Sequence, residues 1–416
     1  MSKHAKRNIL TLMTGMGISQ VILIAATPII TRLFSAGDIG VFGFYVTVIS
    51  ILVIFYTGRY EIAIMLPKSD SSALDIYKVA IRRSIIFSIS FFFIFMLIYE
   101  SLLMYLEINK EWSLYIIPIG ALILAFFNIN VQLSIRTFKY FYISKARVVH
   151  SLISSLLSVL IALLFKPIAL FLVLSDLLGR MLSIMSFHKA YTVSDLFNIT
   201  SKQRSLKERY SKFSTFEQIT SFLSIASLQL PIIVIPFIFG TQVAGFYFII
   251  YRVLTAPISL ISNAVLDVFK SDASRDFNNT GSTRNIFIST TKKLFLIGLI
   301  PFTILVFFAP EIFTLMFGRE WLKAGEYTQI LAPSLLLRLV ACPIGFILQL
   351  REKVELNLFI YGLFFILSSL SLIAAYIYDS VVIMIILISI STCIFYAVQL
   401  YFAFIYSGKI VINSNV

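Results

Sequence analysis

Only two cysteines and three histidines occur in 416 residues, and the acidic side chains number 20 against 34 lysines and arginines. Cys342 and Cys393 both fall inside long apolar runs, which leaves no disulfide framework and no metal knuckle. They read as packing residues. His4, His150 and His188 lie far apart near the predicted cytoplasmic ends of helices and read as solvated side chains. With no His/Cys/Asp cluster at ligand spacing, neither a metal nor a cofactor is expected. The phosphate-cradling pattern G-x-x-x-x-G-K-[ST] is also missing, which argues against direct coupling to ATP within this chain. Polar sequence is scarce as well. Its longest stretches, about 58–83, 189–213 and 267–293, are rich in Ser, Asn, Lys or Arg and too short for a catalytic domain, so an enzyme is not expected.

What the chain has in quantity is apolar sequence: 59% of its residues are hydrophobic. Runs of bilayer length stand near 9–31, 39–57, 84–106, 113–135, 148–165, 168–188, 214–238, 243–266, 294–310, 327–350, 356–378 and 380–406. These predict an all-α polytopic membrane protein of about 12 transmembrane helices. Basic residues crowd every second gap, for example Arg59, Lys68, Lys78, Arg82 and Arg83, or Lys202, Arg204, Lys207, Arg209 and Lys212, whereas the alternate gaps hold only Arg32, Lys110, Lys166, Arg319 and Lys323. Positive-inside bias then places both termini in the cytoplasm. The net charge of +14 is carried beside apolar runs, so its partner is anionic lipid and not nucleic acid. The basic, apolar start from Lys3 to Ile30 is too long for a secretory signal and lacks a small-x-small cleavage site, so it reads as a retained first helix.

An internal repeat organises the chain. Pro28-Ile29-Ile30 followed by Gly43-Phe44-Tyr45 recurs as Pro231-Ile232-Ile233 followed by Gly245-Phe246-Tyr247. Six helices per half is an even number, so the halves share one orientation, as parallel repeats about an axis along the membrane normal. The expected bundles are residues 1–195 and 196–416.

Charges inside the spans carry the functional argument, because an unpaired charge in hydrocarbon is costly and faces a protein interior or a wet cavity. Arg180, Arg252 and Arg338 fall within runs, Arg32 at the outer end of the first and Arg59 at the inner end of the second. Asp176 stands four residues before Arg180, on the same helix face, so the two can neutralise each other. Alternatively, Asp176 is a coupling residue. Two polar stripes extend the set: Asn128, Gln132 and Arg136 at intervals of four, and Arg252, Thr255, Ser259, Ser262, Asn263 and Asp267 along one side of the eighth run. Each stripe either lines a cavity or binds a neighbouring helix. Pro28 interrupts the hydrogen-bond ladder of the first run, where a kink could serve gating or no function at all.

The segments Pro28-Ile-Ile-Thr-Arg-Leu-Phe-Ser-Ala-Gly-Asp-Ile-Gly-Val-Phe-Gly-Phe-Tyr45, Arg59-Tyr-Glu-Ile-Ala-Ile-Met-Leu-Pro-Lys68 and Ala309-Pro-Glu-Ile-Phe-Thr-Leu-Met-Phe-Gly-Arg-Glu-Trp-Leu-Lys-Ala-Gly-Glu-Tyr327 resemble the bacterial O-antigen and polysaccharide flippases of the Wzx type. Ala244-Gly-Phe-Tyr247 and Tyr251-Arg-Val-Leu-Thr-Ala-Pro-Ile-Ser-Leu260 extend the resemblance through almost the whole chain. A departure stands at Phe269-Lys270-Ser271-Asp272, where the family has an aromatic-proline pattern, and it bears on local loop geometry. The resemblance implies the multidrug, oligosaccharidyl-lipid and polysaccharide exporter fold, with two six-helix bundles around a central cavity. It also implies transport of an undecaprenyl-diphosphate-linked oligosaccharide across the bacterial cytoplasmic membrane, with polymerase and other assembly proteins as further partners. The resemblance makes Arg59 and Arg252 cavity cations and Arg32 an outer-mouth cation, while Arg180 and Arg338 join them from burial logic and Asn128, Gln132, Ser259 and Asn263 from the two polar stripes. An ion-coupled drug exporter would need more intramembrane acids than Asp176 and Glu217. A membrane polymerase or ligase would need larger outer loops.

Overall fold

The computed structural model describes residues 3–105, 112–187, 200–351 and 353–408. In chain order its helices are α1 (Lys3–Leu33), α2 (Ala36–Thr57), α3 (Tyr60–Ala63), α4 (Asp70–Tyr105), α5 (Ile117–Arg136), α6 (Tyr140–Leu164), α7 (Ala169–Ile184), α8 (Ser201–Arg209), α9 (Ser211–Thr280), α10 (Arg284–Phe317), α11 (Leu322–Ile344), α12 (Phe346–Leu350), α13 (Val354–Tyr378) and α14 (Val381–Ser407). No strand occurs among the described residues. Among the described residues ten helices are long and apolar enough to cross a membrane. The longest, α9, has 70 residues and is two helices divided at Gly240, whose φ of 81° and ψ of 170° are open to glycine alone. We refer to them as α9a (211–239) and α9b (241–280). The 16 residues of α7 rise about 24 Å, short of a hydrocarbon core of about 30 Å. With α9 divided and α7 included, each of the twelve apolar runs is helical over most of its length.

The protein is an all-α polytopic membrane protein, and its outward surface carries the physical sign of one. Large apolar side chains such as Leu97, Leu315 and Leu164 are 84%, 78% and 75% exposed, a distribution that water would penalise and acyl chains do not.

Helix ends depart from expectation. Residues 70–83, 201–209, 267–280 and 284–293 are helical although the sequence places them in polar loops. Charge ends an apolar run but not a helix, because Lys, Arg, Glu and Gln are good helix formers once clear of the bilayer. The departure at Phe269–Asp272 therefore lies within a helix and not in a loop. Pro28 sits inside an unbroken α1. Lys110, His188, Lys189, Lys409 and the expected bundle boundary at 195/196 lie outside the described residues.

Two compact units are distinguished, one of Met1–Ile225 with Ile235–Gly245, the other of Ala226–Val234 with Phe246–Val416. In the first, α1 packs along α6, α6 against α7, and α5 against both α2 and α4. A capping box starts α2, with the Ser35 hydroxyl accepting from the Asp38 amide and the Asp38 carboxylate accepting from the Ser35 amide. Further along, α2 comes so near the start of α9b that a Cβ on Gly40 would meet the Thr241 carbonyl, and one on Gly245 the Ala36 carbonyl. Small residues permit this approach of backbones, the usual means of helix association where lipid removes the hydrophobic drive. In the second unit α10 lies along α11, and α14 packs against both α11 and α13. Phe246 stands edge-on to the fully buried Trp321, with centroids 5.7 Å apart, and to Tyr327 at 6.4 Å. The family-like segments at 244–247 and 309–327 thus meet in packing and not in chemistry.

Candidate functional site

Arg338 occupies the middle of the apolar segment Arg319–Leu350 and lines a small cavity of about 50 Å³ in the second unit. Around it, Tyr251 comes from α9b, Ser334 from α11, Ser368 from α13, and Thr392 and Tyr396 from α14. The guanidinium lies over the Tyr251 ring, 5.4 Å from its centroid, and is also beside Tyr396 and Cys342. Among the described residues no carboxylate pairs with it. A cation at a helix centre costs about 2.5–3.5 kcal/mol on insertion scales, and one cation–π contact returns about 0.5–2 kcal/mol. The arrangement is therefore a half-buried positive charge surrounded by hydroxyls and left without an anion.

Cys342, one turn after Arg338, is exposed, and Cys393 is partly so. The expectation that both are packing residues fails for Cys342, whose side chain is exposed beside Arg338.

The first unit treats its mid-membrane charges in the opposite way. Arg180 donates from Nε to Asp176 Oδ2 at 2.7 Å and from a terminal nitrogen to Oδ1 at 3.1 Å, the bidentate pair that the i, i+4 spacing predicts. The side chains of Asp176 and Arg180 are 7% and 14% exposed. His150 adds Nε2 to Asp176 Oδ1 at 3.0 Å and is itself only 17% exposed. Its expected solvation is thereby corrected. Register along α6 turns it inward toward α7, and the sequence offers no sign of this because the partners stand 26 positions apart.

The remaining candidates fall into distinct settings. Arg59 takes a left-handed conformation at φ 59° after Gly58 at φ 61°, and its guanidinium pairs with the buried Glu61 at 3.1 Å. Its Nε is buried and has no hydrogen-bond partner among the described residues. Arg32 is exposed and Arg252 half-buried. Asn128 and Gln132 are half-buried, but Arg136 leaves their stripe for Asp70, at 3.1 Å, and the Met65 carbonyl, at 3.0 Å. On α9b the polar side divides. Ser259 and Asn263 are exposed, whereas Thr255 and Ser262 are buried. Arg252 does not line the Arg338 cavity, although it adjoins Tyr251, which does.

A second cavity, of about 340 Å³, escaped the sequence reading. Arg82, Arg83, Ile86 and Phe87 of α4 and Gln203, Arg204 and Lys207 of α8 line it. In sequence its cations belong to two separate polar loops, 58–83 and 189–213, and Ile86 and Phe87 to the apolar run 84–106. That α8 is a helix was legible in principle, since Thr200 caps it by accepting from the Gln203 amide, whereas its docking on α4 is a tertiary fact.

Comparison with known proteins bears on the chain's family and fold. A family model described as "Polysaccharide biosynthesis protein" matches residues 29–326. The teichuronic acid biosynthesis protein TuaB of Bacillus subtilis (strain 168) is 27% identical over 173 residues, which are 41% of this chain and 35% of TuaB. The match thus spans about a third of that relative's length. Among solved structures, the lipid II flippase MurJ in an inward closed conformation superposes with a TM-score of 0.76 at 13% identity, covering 94% of this chain and 87% of MurJ. An inward-facing multidrug resistance MATE family transporter of the MOP superfamily gives 0.69 at 16% identity, covering 94% and 93%. At such identities the likeness is one of fold.

Proposed function

The chain belongs to the polysaccharide biosynthesis protein family, and from that premise we propose that it is a flippase for a lipid-linked oligosaccharide. The coarse assignment, a multi-pass membrane protein with the fold of MOP superfamily transporters, rests on the family match and the superpositions on a flippase and a transporter. The finer reading is an undecaprenyl-diphosphate-linked repeat unit, moved from the inner to the outer leaflet of the bacterial cytoplasmic membrane for O-antigen, capsular or exopolysaccharide assembly. One observation carries it: Arg338, held at membrane depth among hydroxyls without an anion of its own. A diphosphate head supplies the missing charge and a glycan supplies hydrogen-bond partners for Ser334, Ser368, Thr392 and the tyrosines.

Within this reading Arg252, Arg59 and Arg32 are further cargo contacts, with Asn128, Gln132, Ser259 and Asn263 as hydroxyl and amide contacts. Residues 1–195 and 196–416 remain the proposed repeat units. Arg180 and Asp176 are assigned to structure, because the carboxylate is already engaged by Arg180 and His150, and this weakens an ion-coupled drug exporter. Partners are the lipid-linked cargo, anionic lipids and the glycan polymerase.

Cys342 offers a direct test. In a Cys393→Ser background, alkylation of Cys342 by a maleimide slows several-fold when farnesyl diphosphate is added as a probe of the cargo head, and the Arg338→Gln variant loses that protection. An alkylation rate indifferent to the probe, in protein that still labels fully, contradicts the placement of the cargo head at Arg338.

A further inference from the structure

We propose that the cavity between α4 and α8 is a docking site for the diphosphate head of a prenyl-linked lipid, separate from the Arg338 cavity; this rests on the flippase reading above. Four cations converge there, Arg82, Arg83, Arg204 and Lys207, and no carboxylate is among the lining residues. Its position along α4 matters. Arg82 and Arg83 immediately precede the apolar run that begins at Ser84, which is headgroup depth. One turn deeper, Ile86 and Phe87 line the same cavity and are 56% and 39% exposed. The cavity is thus cationic at one end and apolar at the other, matched to an amphiphile and not to a free anion.

Its framework is built and not incidental. Gln203, 2% exposed, accepts from Arg82 at 3.2 Å and donates to Asp75 at 3.3 Å. Tyr60 donates to the Lys207 carbonyl at 3.1 Å, and Lys202 pairs with Asp75 at 3.1 Å. These bonds hold α8 against α4 and, through Tyr60, against α3, while among the described residues no carboxylate pairs with Arg204 or Lys207. Arg83 lies over the Phe87 ring at 4.7 Å, and its Nε is buried without a hydrogen-bond partner among the described residues. The number of cations selects the ligand: a diphosphate diester carries about two negative charges and a phospholipid phosphodiester about one, and charge-assisted bonds to guanidinium scale accordingly. Cargo captured here would be concentrated beside the transporter before it is moved.

The test uses the full chain in nanodiscs of zwitterionic phosphatidylcholine, in an Arg338→Gln background that weakens binding at the Arg338 cavity. Farnesyl diphosphate binds, and the Arg204→Gln/Lys207→Gln variant, altered only at exposed positions, weakens binding about tenfold. Arg83→Gln weakens it as well, and Lys212→Gln, on the same stretch but outside the cavity, leaves it unchanged. Equal affinity in all variants overturns the site, as does competition by phosphatidylglycerol on equal terms. If the Arg338→Gln protein binds no probe while wild type still does, only this inference falls. If wild type binds none, the flippase reading falls with it.

Discussion

Arg338→Gln abolishes surface glycan and leaves lipid-linked oligosaccharide on the inner leaflet, while the protein accumulates in the membrane at or above the wild-type level. The two halves of this result share one cause. Glutamine keeps a hydrogen-bonding amide but removes the charge, so the cargo loses charge-assisted bonds of about 1.5–3 kcal/mol each. Two such bonds lower occupancy roughly 100-fold or more. Folding moves the other way, because no carboxylate is left behind and the variant no longer carries a mid-membrane cation costing about 2.5–3.5 kcal/mol. Arg338→Lys keeps the point charge without the planar fork and retains partial export. Quantifying surface glycan, inner-leaflet intermediate and membrane protein in the same cells separates these outcomes. Normal glycan in Arg338→Gln at wild-type protein level would sink the assignment.

Asp176→Leu gives the converse: little folded protein. Asp176 is 7% exposed and is the shared partner of Arg180 and His150, so its removal strands a buried guanidinium, a loss of about 3–5 kcal/mol. The double variant Asp176→Leu/Arg180→Leu recovers most of the folded protein, because an apolar pair of similar volume replaces both charges at once. Fluorescence-detected size exclusion of the detergent-solubilised variants reads the difference. Should Asp176→Asn fold fully yet fail in transport, the residue is an ion-coupling group and the structural assignment is wrong.

The contrast between Arg180 and Arg338 shows how far a sequence reaches. Both were legible as charges inside apolar runs, and the spacing of Asp176 and Arg180 foretold their pair because i, i+4 neighbours must meet on a helix. That Arg338 lacks an anion depends on what α9b, α13 and α14 bring beside it, which no local pattern records. The twelve runs were visible because hydrocarbon tolerates only satisfied backbone, and the gap between the seventh and eighth runs marks a true break at Gly240. Helix ends were misjudged wherever a basic helix outlasts the bilayer, as at 70–83 and 284–293. His150 and the α4–α8 cavity were missed for a related reason. Lys, Arg and His near a membrane surface look alike in sequence whether they are solvated or converge on one another.

The most direct measurement is leaflet transfer by the purified full chain in sealed proteoliposomes, using a fluorescent oligosaccharide linked to a polyprenyl diphosphate and a membrane-impermeant quencher. The account predicts that wild-type protein exposes the sugar to the opposite leaflet far faster than protein-free vesicles, and that Arg338→Gln does not. Transfer that persists undiminished in Arg338→Gln, or vesicles that move a cationic drug and leave the lipid-linked sugar in place, would contradict it.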